Sequence, residues 1–293
     1  NGAPMTIRIA VVGLGRMGAA MAGRLAAQGF EVTGFDVRPD AAEGLAGIGV
    51  HPASDLVSLW PAADVVLLSL PLPEHVEQVL TGTDGFVGRA AAGVRVIDTS
   101  TSDPDVTQRL AARLADAGYG LVDAPVSGGP AGAAAGTLAM MLGGSEADIA
   151  AVQPVLAALG DKPSHVGPSG AGHTAKLVNN VLCAAQILLA GEALRLGATT
   201  GASIEALAGA VNGASGRSAV TEVNVPRWIL SERFDSGFTL ALMEKDLSLA
   251  ERLAARSGLS LPLIEAVVGR WRECTLAHGG DADFNRAFCG DET

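Results

Sequence analysis

The stretch Ile7-Arg8-Ile9-Ala10-Val11-Val12-Gly13-Leu14-Gly15-Arg16-Met17-Gly18 decides how the rest of the 293-residue chain is read. Ile7 to Val12 is a short, mostly apolar and β-branched run, the pattern of a strand buried in a parallel sheet. The next six residues spell GxGxxG, and Ala19 to Gln28 then carry a helix pattern closed by Gly29. A glycine-rich turn alone says little. A strand before it, a helix after it and a second strand, Glu31 to Phe35, leading into Asp36 make it the dinucleotide-binding fingerprint. Gly13 permits the tight turn, Gly15 lets the backbone approach a pyrophosphate, and Gly18 lets helix and strand pack closely. The helix N-terminus offers N–H groups and partial positive charge to the phosphates. Leu14, Arg16 and Met17 share the loop and are candidate cofactor contacts with the glycines. Asp36 is placed to accept from both adenosine ribose hydroxyls and to repel a 2′-phosphate. NAD is therefore the expected cofactor, with NADP the alternative because Arg38 stands two residues on.

Outward from the fingerprint, strand and helix keep alternating. Val65 to Leu70 is an apolar run ended by Pro71, and Pro73 opens a helix through Leu80. Val94 to Ile97 predicts a strand, followed by Asp98-Thr99-Ser100-Thr101. Asp103-Pro104 then has the form of an N-cap with proline at the first helical position, leading a helix to Asp116. Leu121-Val122-Asp123-Ala124-Pro125 is another strand end, Thr137 to Leu142 a further strand, and Glu146 to Leu159 a helix that completes the domain near Val166. Five such units predict an α/β fold, a doubly wound parallel sheet with ligands at the strand carboxyl ends. Leu70, Pro71 and Thr101 lie at those ends and are candidate cofactor contacts, although Pro71 serves equally well as a strand stop. From Gly170 the pattern becomes almost wholly helical, with spans 171–197, 203–212, 217–231, 239–256 and 261–278. The expected division is a dinucleotide-binding domain over 1–167 and an all-α domain over 168–293.

Three further stretches carry chemistry. In Val126-Ser127-Gly128-Gly129-Pro130, consecutive small residues leave the N–H groups of Ser127, Gly128 and Gly129 available for an anion-binding nest beside the Ser127 hydroxyl. The bland alternative is a flexible Gly/Ala linker. A serine nucleophile is not expected, because the sequence is not GxSxG. Gly170-Ala171-Gly172-His173-Thr174-Ala175-Lys176-Leu177-Val178-Asn179-Asn180 is a glycine-broken helix start that puts Lys176 and Asn180 one turn apart on one face. A lysine beside so apolar a helix either snorkels to water or faces an anion. Lys245-Asp246, inside another apolar helix, is either a structural ion pair or a site group. His51, His75, His165, His173 and His278 show no ligand spacing, so no metal is expected. His173 reads as a helix-start residue that could line the site.

Composition narrows the classes. Hydrophobic residues make up 48% and charged ones 17%, which excludes disorder. No uninterrupted apolar run reaches the ~18 residues of a membrane span. Asn1 to Pro4 read as residues added before a natural Met5, and no signal-type segment follows. Cys183, Cys274 and Cys289 are too few and scattered for a disulfide framework or a metal site, which points to a reduced, cytoplasmic protein. The net charge of −11 opposes nucleic acid and anionic membranes, so a small anionic substrate must be drawn in by a local positive site. The helix over 171–197 would be about 40 Å long and apolar on more than one face, which predicts packing against a second subunit.

Four motifs in order, Gly13 to Gly18, Asp123-Ala124-Pro125-Val126-Ser127-Gly128-Gly129, Gly170 to Asn180, and Lys245-Asp246-Leu247, make the chain resemble the β-hydroxyacid dehydrogenase family from about Ile7 to Phe284. The resemblance implies that Ser127, Gly128 and Gly129 bind a substrate carboxylate, that Lys176 is the catalytic acid/base and that Asn180 holds the reacting hydroxyl. It also implies Thr101 at the cofactor, Lys245 at the nicotinamide or substrate side, and a homodimer or homotetramer formed through the helical domain. One departure bears on subtype: isobutyrate-type members often carry Ser-Thr-Ile where this chain has Ser100-Thr101-Ser102. Imine reductases share the architecture but usually lack the lysine. The intact Ser127, Lys176 and Asn180 set weighs against a non-catalytic regulatory protein.

Overall fold

The computed structural model describes residues 6–290; the expected leader Asn1–Pro4 and Met5 lie outside them. The run before the fingerprint forms β1 (Arg8–Val12), with Ile9 and Val11 packed into one core and Ala10 and Val12 into the other. That two-sided burial is the price of a central parallel strand. From β1 the chain steps one way to β2 (Glu31–Phe35) and β3 (Val50–Pro52). It then crosses back to β4 (Val65–Leu68), β5 (Arg95–Asp98) and β6 (Gly120–Asp123), giving the order β3-β2-β1-β4-β5-β6 with every pair parallel. The reversal between β1 and β4 is the topological switch point at which such sheets bind ligands.

The sheet is parallel only as far as β6. β7 (Val126–Ser127) continues the direction of β6 past Ala124-Pro125, and β8 (Ala139–Gly143) runs back antiparallel along both, pairing Asp123 with Gly143 and Val126 with Met140. β9 (Lys162–Gly167) then lies parallel to β8. The reason lies in Gly128, Gly129 and Gly136, whose positive φ angles of 133°, 66° and 73° fold the chain onto the strand it has just left. A parallel return would have needed a longer crossover.

One face of the sheet is covered by helices Arg16–Ala27 and Glu146–Leu159, which contribute Met21, Leu25, Val152, Val155 and Leu156. The other is covered by helices Pro73–Thr81 and Pro104–Asp116 with Val76, Leu80, Leu110 and Leu114, around Trp60 and Phe86.

The chain divides into two compact units between Lys176 and Leu177, inside helix Ala171–Ala198. The second unit holds helices Ile204–Asn212, Leu240–Ser257 and Pro262–His278 around Trp271, Met243, Leu247 and Phe288. Where an ordinary helix was expected over 217–231, Val220–Ile229 is a wide π-helix, in which the Leu230 N–H reaches back five residues to the Val225 carbonyl at 2.8 Å. Pro226 within it has no N–H to give to the tighter pattern. By length and composition alone, helix Ala171–Ala198 could cross a membrane, an 18-residue window of it having a mean hydropathy of 1.5. Its Ala184, Ile187 and Leu194 instead belong to the core of the helical unit. Val178, Leu182, Leu189 and Leu196 remain exposed along it, the last three at a seven-residue spacing.

Candidate active site

Two glycines of the fingerprint loop are irreplaceable on steric grounds. Gly13 has φ 90°, and a Cβ there would run into the Ser69 carbonyl; a Cβ on Gly18 would collide with the Gly13 carbonyl. Gly15 differs. It is exposed, it precedes helix Arg16–Ala27 without any side-chain cap, and a Cβ on it would meet nothing within 4 Å. Open space over uncapped N–H groups is what a pyrophosphate needs, so these residues fit a dinucleotide. Leu14 contributes differently from its neighbours: its side chain lies in the core and its N–H donates to Asp36 at 2.8 Å. Met17 packs partly against that core, and Arg16 is exposed at the helix start.

The Asp36 side chain, 9% exposed, accepts hydrogen bonds from the N–H groups of Leu14 and Arg38 and from Arg38 Nε at 3.1 Å. Burial alone would raise its pKa; the bonds from Arg38 and Leu14 outweigh burial and hold the carboxyl below its ordinary range. An ionised acceptor suits ribose hydroxyls. The Arg38 guanidinium, which could otherwise meet a 2′-phosphate, is engaged with Asp36.

Leu70 and Pro71 follow β4, and the Leu70 N–H donates to Ser100 Oγ at 2.9 Å, tying this turn to the segment that carries Thr101. Leu70 and Thr101 are half-buried and Pro71 is exposed. Ser102, where the motif departs from isobutyrate-type members, is buried, and its hydroxyl has no protein partner among the described residues. Ser127 ends β7, and Gly128 and Gly129 begin helix Gly129–Ala135, so this stretch is regular structure rather than the linker its composition also allowed. Ser127 and Gly129 are half-buried and Gly128 is exposed.

Asp98 and Asp123 are register partners at the ends of β5 and β6, and both are buried. Asp123 accepts from the Gly170 N–H at 2.8 Å and the His173 N–H at 3.0 Å, so one carboxylate caps the start of helix Ala171–Ala198 from the sheet. A Cβ on Gly143 would press against that carboxylate, and one on Gly172 would run into the Met141 and Asp123 backbone carbonyls, which accounts for the second glycine of Gly170-Ala171-Gly172. Asp98 accepts from the Ser100 N–H at 3.0 Å and lies 3.8 Å from His173 Nε2. Burial pushes the Asp98 carboxyl above its ordinary range, against the opposing pull of His173 and the Ser100 bonds. His173, fully buried, sets Nε2 2.9 Å from the Ser100 carbonyl and Nδ1 2.8 Å from Thr107 Oγ1. Lys176, half-buried, follows three residues later.

Sequence reasoning put His173 at the helix start but missed this network. The available signal was the pair of strands ending alike, Ile97-Asp98 and Val122-Asp123.

Within the helical unit, Asn180 Nδ2 donates to Asp246 Oδ2 at 2.6 Å and Asn180 Oδ1 accepts from Asn179 Nδ2 at 3.0 Å. Asp246, 2% exposed, also pairs with Lys245 Nζ at 2.9 Å. Lys245-Asp246 is therefore an ion pair that also fixes the Asn180 amide.

A mostly parallel sheet with this loop, followed by a helical domain, defines an NAD(P)-dependent oxidoreductase. The chain belongs to the β-hydroxyacid dehydrogenase family. Residues 8–167 match the NAD binding domain of 6-phosphogluconate dehydrogenase, and residues 170–288 match the NAD-binding domain of NADP-dependent 3-hydroxyisobutyrate dehydrogenase. A 3-hydroxyisobutyrate dehydrogenase of Pseudomonas aeruginosa is 39% identical over 87% of this chain and 88% of its own. An NAD-dependent L-serine dehydrogenase of the same organism is 35% identical over 95% of both. The Mycobacterium tuberculosis 3-hydroxyisobutyrate dehydrogenase, solved with L-serine, superposes with a TM-score of 0.90 at 35% identity, covering 97% of this chain and 98% of that one. Imine reductases share the fold at 21% identity or less.

Proposed function

We propose that this chain reversibly oxidises a small β-hydroxy acid, similar in size to 3-hydroxyisobutyrate, to its semialdehyde, with NAD as the preferred cofactor and Lys176 as acid/base. The observation that carries the reading is the start of helix Ala171–Ala198. Asp123 anchors it to the strand that runs on into Ser127-Gly128-Gly129, and Lys176 follows one turn in. Gly13 to Gly18, Asp36, Leu70, Pro71 and Thr101 would hold the cofactor, which supplies a hydride acceptor. The N–H groups of Ser127 to Gly129 would take the substrate carboxylate. Lys176 takes the hydroxyl proton as the carbinol hydrogen leaves as hydride, and the carbon–oxygen bond becomes a carbonyl. In reverse, the ammonium form of Lys176 returns the proton and stabilises charge developing on oxygen. Asn180 would hold the reacting hydroxyl, its amide set by Asp246, and Lys245 would stand at the nicotinamide or substrate side. Two of the relatives bear names for small β-hydroxy acids, 3-hydroxyisobutyrate and L-serine, which supports this size of substrate.

Lys176 is the feature that disfavours imine reduction. The exposed stripe Leu182, Leu189 and Leu196 supports a homodimer or homotetramer, and a cytoplasmic location is part of the same proposal. The test is cofactor reduction over a panel of β-hydroxy acids with NAD and NADP. Turnover of at least one acid is expected; no turnover of any, or reduction of cyclic imines instead, would overturn the reading.

A further inference from the structure

His173 is a fully buried side chain that the chemistry above does not use. Its Nε2 faces the Ser100 carbonyl at 2.9 Å, an acceptor only, so Nε2 carries a hydrogen and donates. Nδ1 is hydrogen-bonded to the Thr107 hydroxyl at 2.8 Å, and that hydroxyl also lies 3.2 Å from the Asp103 carbonyl. The backbone N–H of the same residue is held by Asp123 at 3.0 Å. One residue thus ties three segments together. They are the β5 end that leads into Thr101, the helix Pro104–Asp116 through Thr107, and the strand end that leads into Ser127-Gly128-Gly129. The residue itself sits in the first turn of the helix that presents Lys176.

We infer that His173 is a positioning residue: its ring holds the first turn of the Lys176 helix against the Thr101 segment, and so fixes where the lysine amine stands. The inference rests on the role proposed for Lys176 but not on turnover itself. A helix start leaves four N–H groups and frays readily unless it is anchored. Asp123 anchors the backbone from one side only. Without the ring, the Ser100 carbonyl would lose its donor in a buried site, and the turn would be free to shift by the fraction of an ångström that catalysis does not tolerate.

The experiment compares wild type with His173→Leu, which keeps bulk and removes both ring hydrogen bonds, and with His173→Gln, whose amide can donate to one partner and accept from the other. Two readouts are taken: steady-state kinetics with NAD titrations, and the rate at which Lys176 is acylated by a small anhydride, followed by mass spectrometry. His173→Leu should lower kcat about tenfold or more, with NAD affinity within about threefold of wild type. It should also change the Lys176 acylation rate about threefold or more, with His173→Gln restoring both. A His173→Leu protein with wild-type kcat and wild-type Lys176 acylation overturns the inference, as does a His173→Gln protein that falls as far as His173→Leu. Should His173→Leu fail to fold, Thr107→Val takes its place, with a changed acylation rate expected and an unchanged one contrary. A wild type that turns over no hydroxy acid sinks the proposed function, while the acylation arm still decides the role of His173.

Discussion

Two strand ends in the same sheet finish in aspartate and behave in opposite ways. Asp36, just past β2, is held ionised by Arg38 and the Leu14 N–H, which lower its pKa in spite of burial. Asp98, at the end of β5, is wholly buried and is pushed the other way. The residue type and the position are alike; the donors differ. At the β2 end the donors come from a residue two positions on and from the fingerprint loop within the same strand-helix-strand unit. At the β5 end the balancing group is His173, more than seventy residues away. The lesson is that a local motif can specify a cofactor rim. The Asp98–His173 side depends on tertiary contacts that join distant segments.

The largest effect that could break this contrast is at the fingerprint. Gly18→Val would place a side chain on the Gly13 carbonyl and should cost about 3 kcal/mol or more, with NAD binding lost in a calorimetric titration. Retained binding within about tenfold of wild type would mean that the loop is not the rigid cradle its geometry suggests.

Asp36 comes next. Wild type should favour NAD over NADP by about tenfold or more in kcat/KM, near 1.4 kcal/mol, and Asp36→Ala should bring the ratio close to one. A wild-type preference for NADP would show that Arg38 leaves Asp36 to take the phosphate.

Gly129 tests the proposed carboxylate site. Its φ of 66° strains any L side chain, although space is open around it. Gly129→Val should raise the hydroxy-acid KM about tenfold and leave the NAD dissociation constant nearly unchanged. Equal losses of both would assign the stretch to the cofactor or to folding.

The smallest effect is in stability against pH. A carboxyl whose pKa is raised on folding keeps its proton in the folded state over the window between the two values. Asp98 therefore contributes stability below the unfolded value of about 3.9 and loses it as pH rises through the folded value. Asp36 has the opposite sign, its contribution being present above the ordinary carboxylate pKa and lost as pH falls through its lowered folded value. In urea denaturation between about pH 4 and 8, Asp98→Asn should flatten the decline in stability with rising pH. An unchanged slope would show that His173 compensates Asp98 in full.

How much was legible in the sequence follows the same division. The parallel strands β1, β2, β4, β5 and β6, the helices between them and the fingerprint glycines were readable because periodicity and glycine placement are local signals. β3 escaped because three residues, Val50–Pro52, carry too little alternation to count. The antiparallel return of β8 escaped because glycine φ angles, not strand patterns, decide it. The π-helical winding of Val220–Ile229 leaves the same apolar residues in place as an ordinary helix does, and only Pro226 hints at it. In the candidate site, Lys176 and Asn180 were readable as one helix face, and Lys245-Asp246 as a pair. The Asp98, Thr107, Asp123 and His173 network was not readable, since no spacing rule connects residues drawn from β5, β6 and two helices.

The proposed chemistry centres on Lys176, and its most direct measurement is kcat of Lys176→Ala on the best hydroxy acid, made with both protiated and carbinol-deuterated substrate. We expect kcat to fall by about 10² or more, with NAD affinity and thermal unfolding unchanged, and Lys176→Arg to recover little because a guanidinium keeps its proton. If Lys176→Ala instead keeps more than about a tenth of wild-type kcat while the isotope effect shows C–H cleavage to be rate-limiting, Lys176 is not the acid/base.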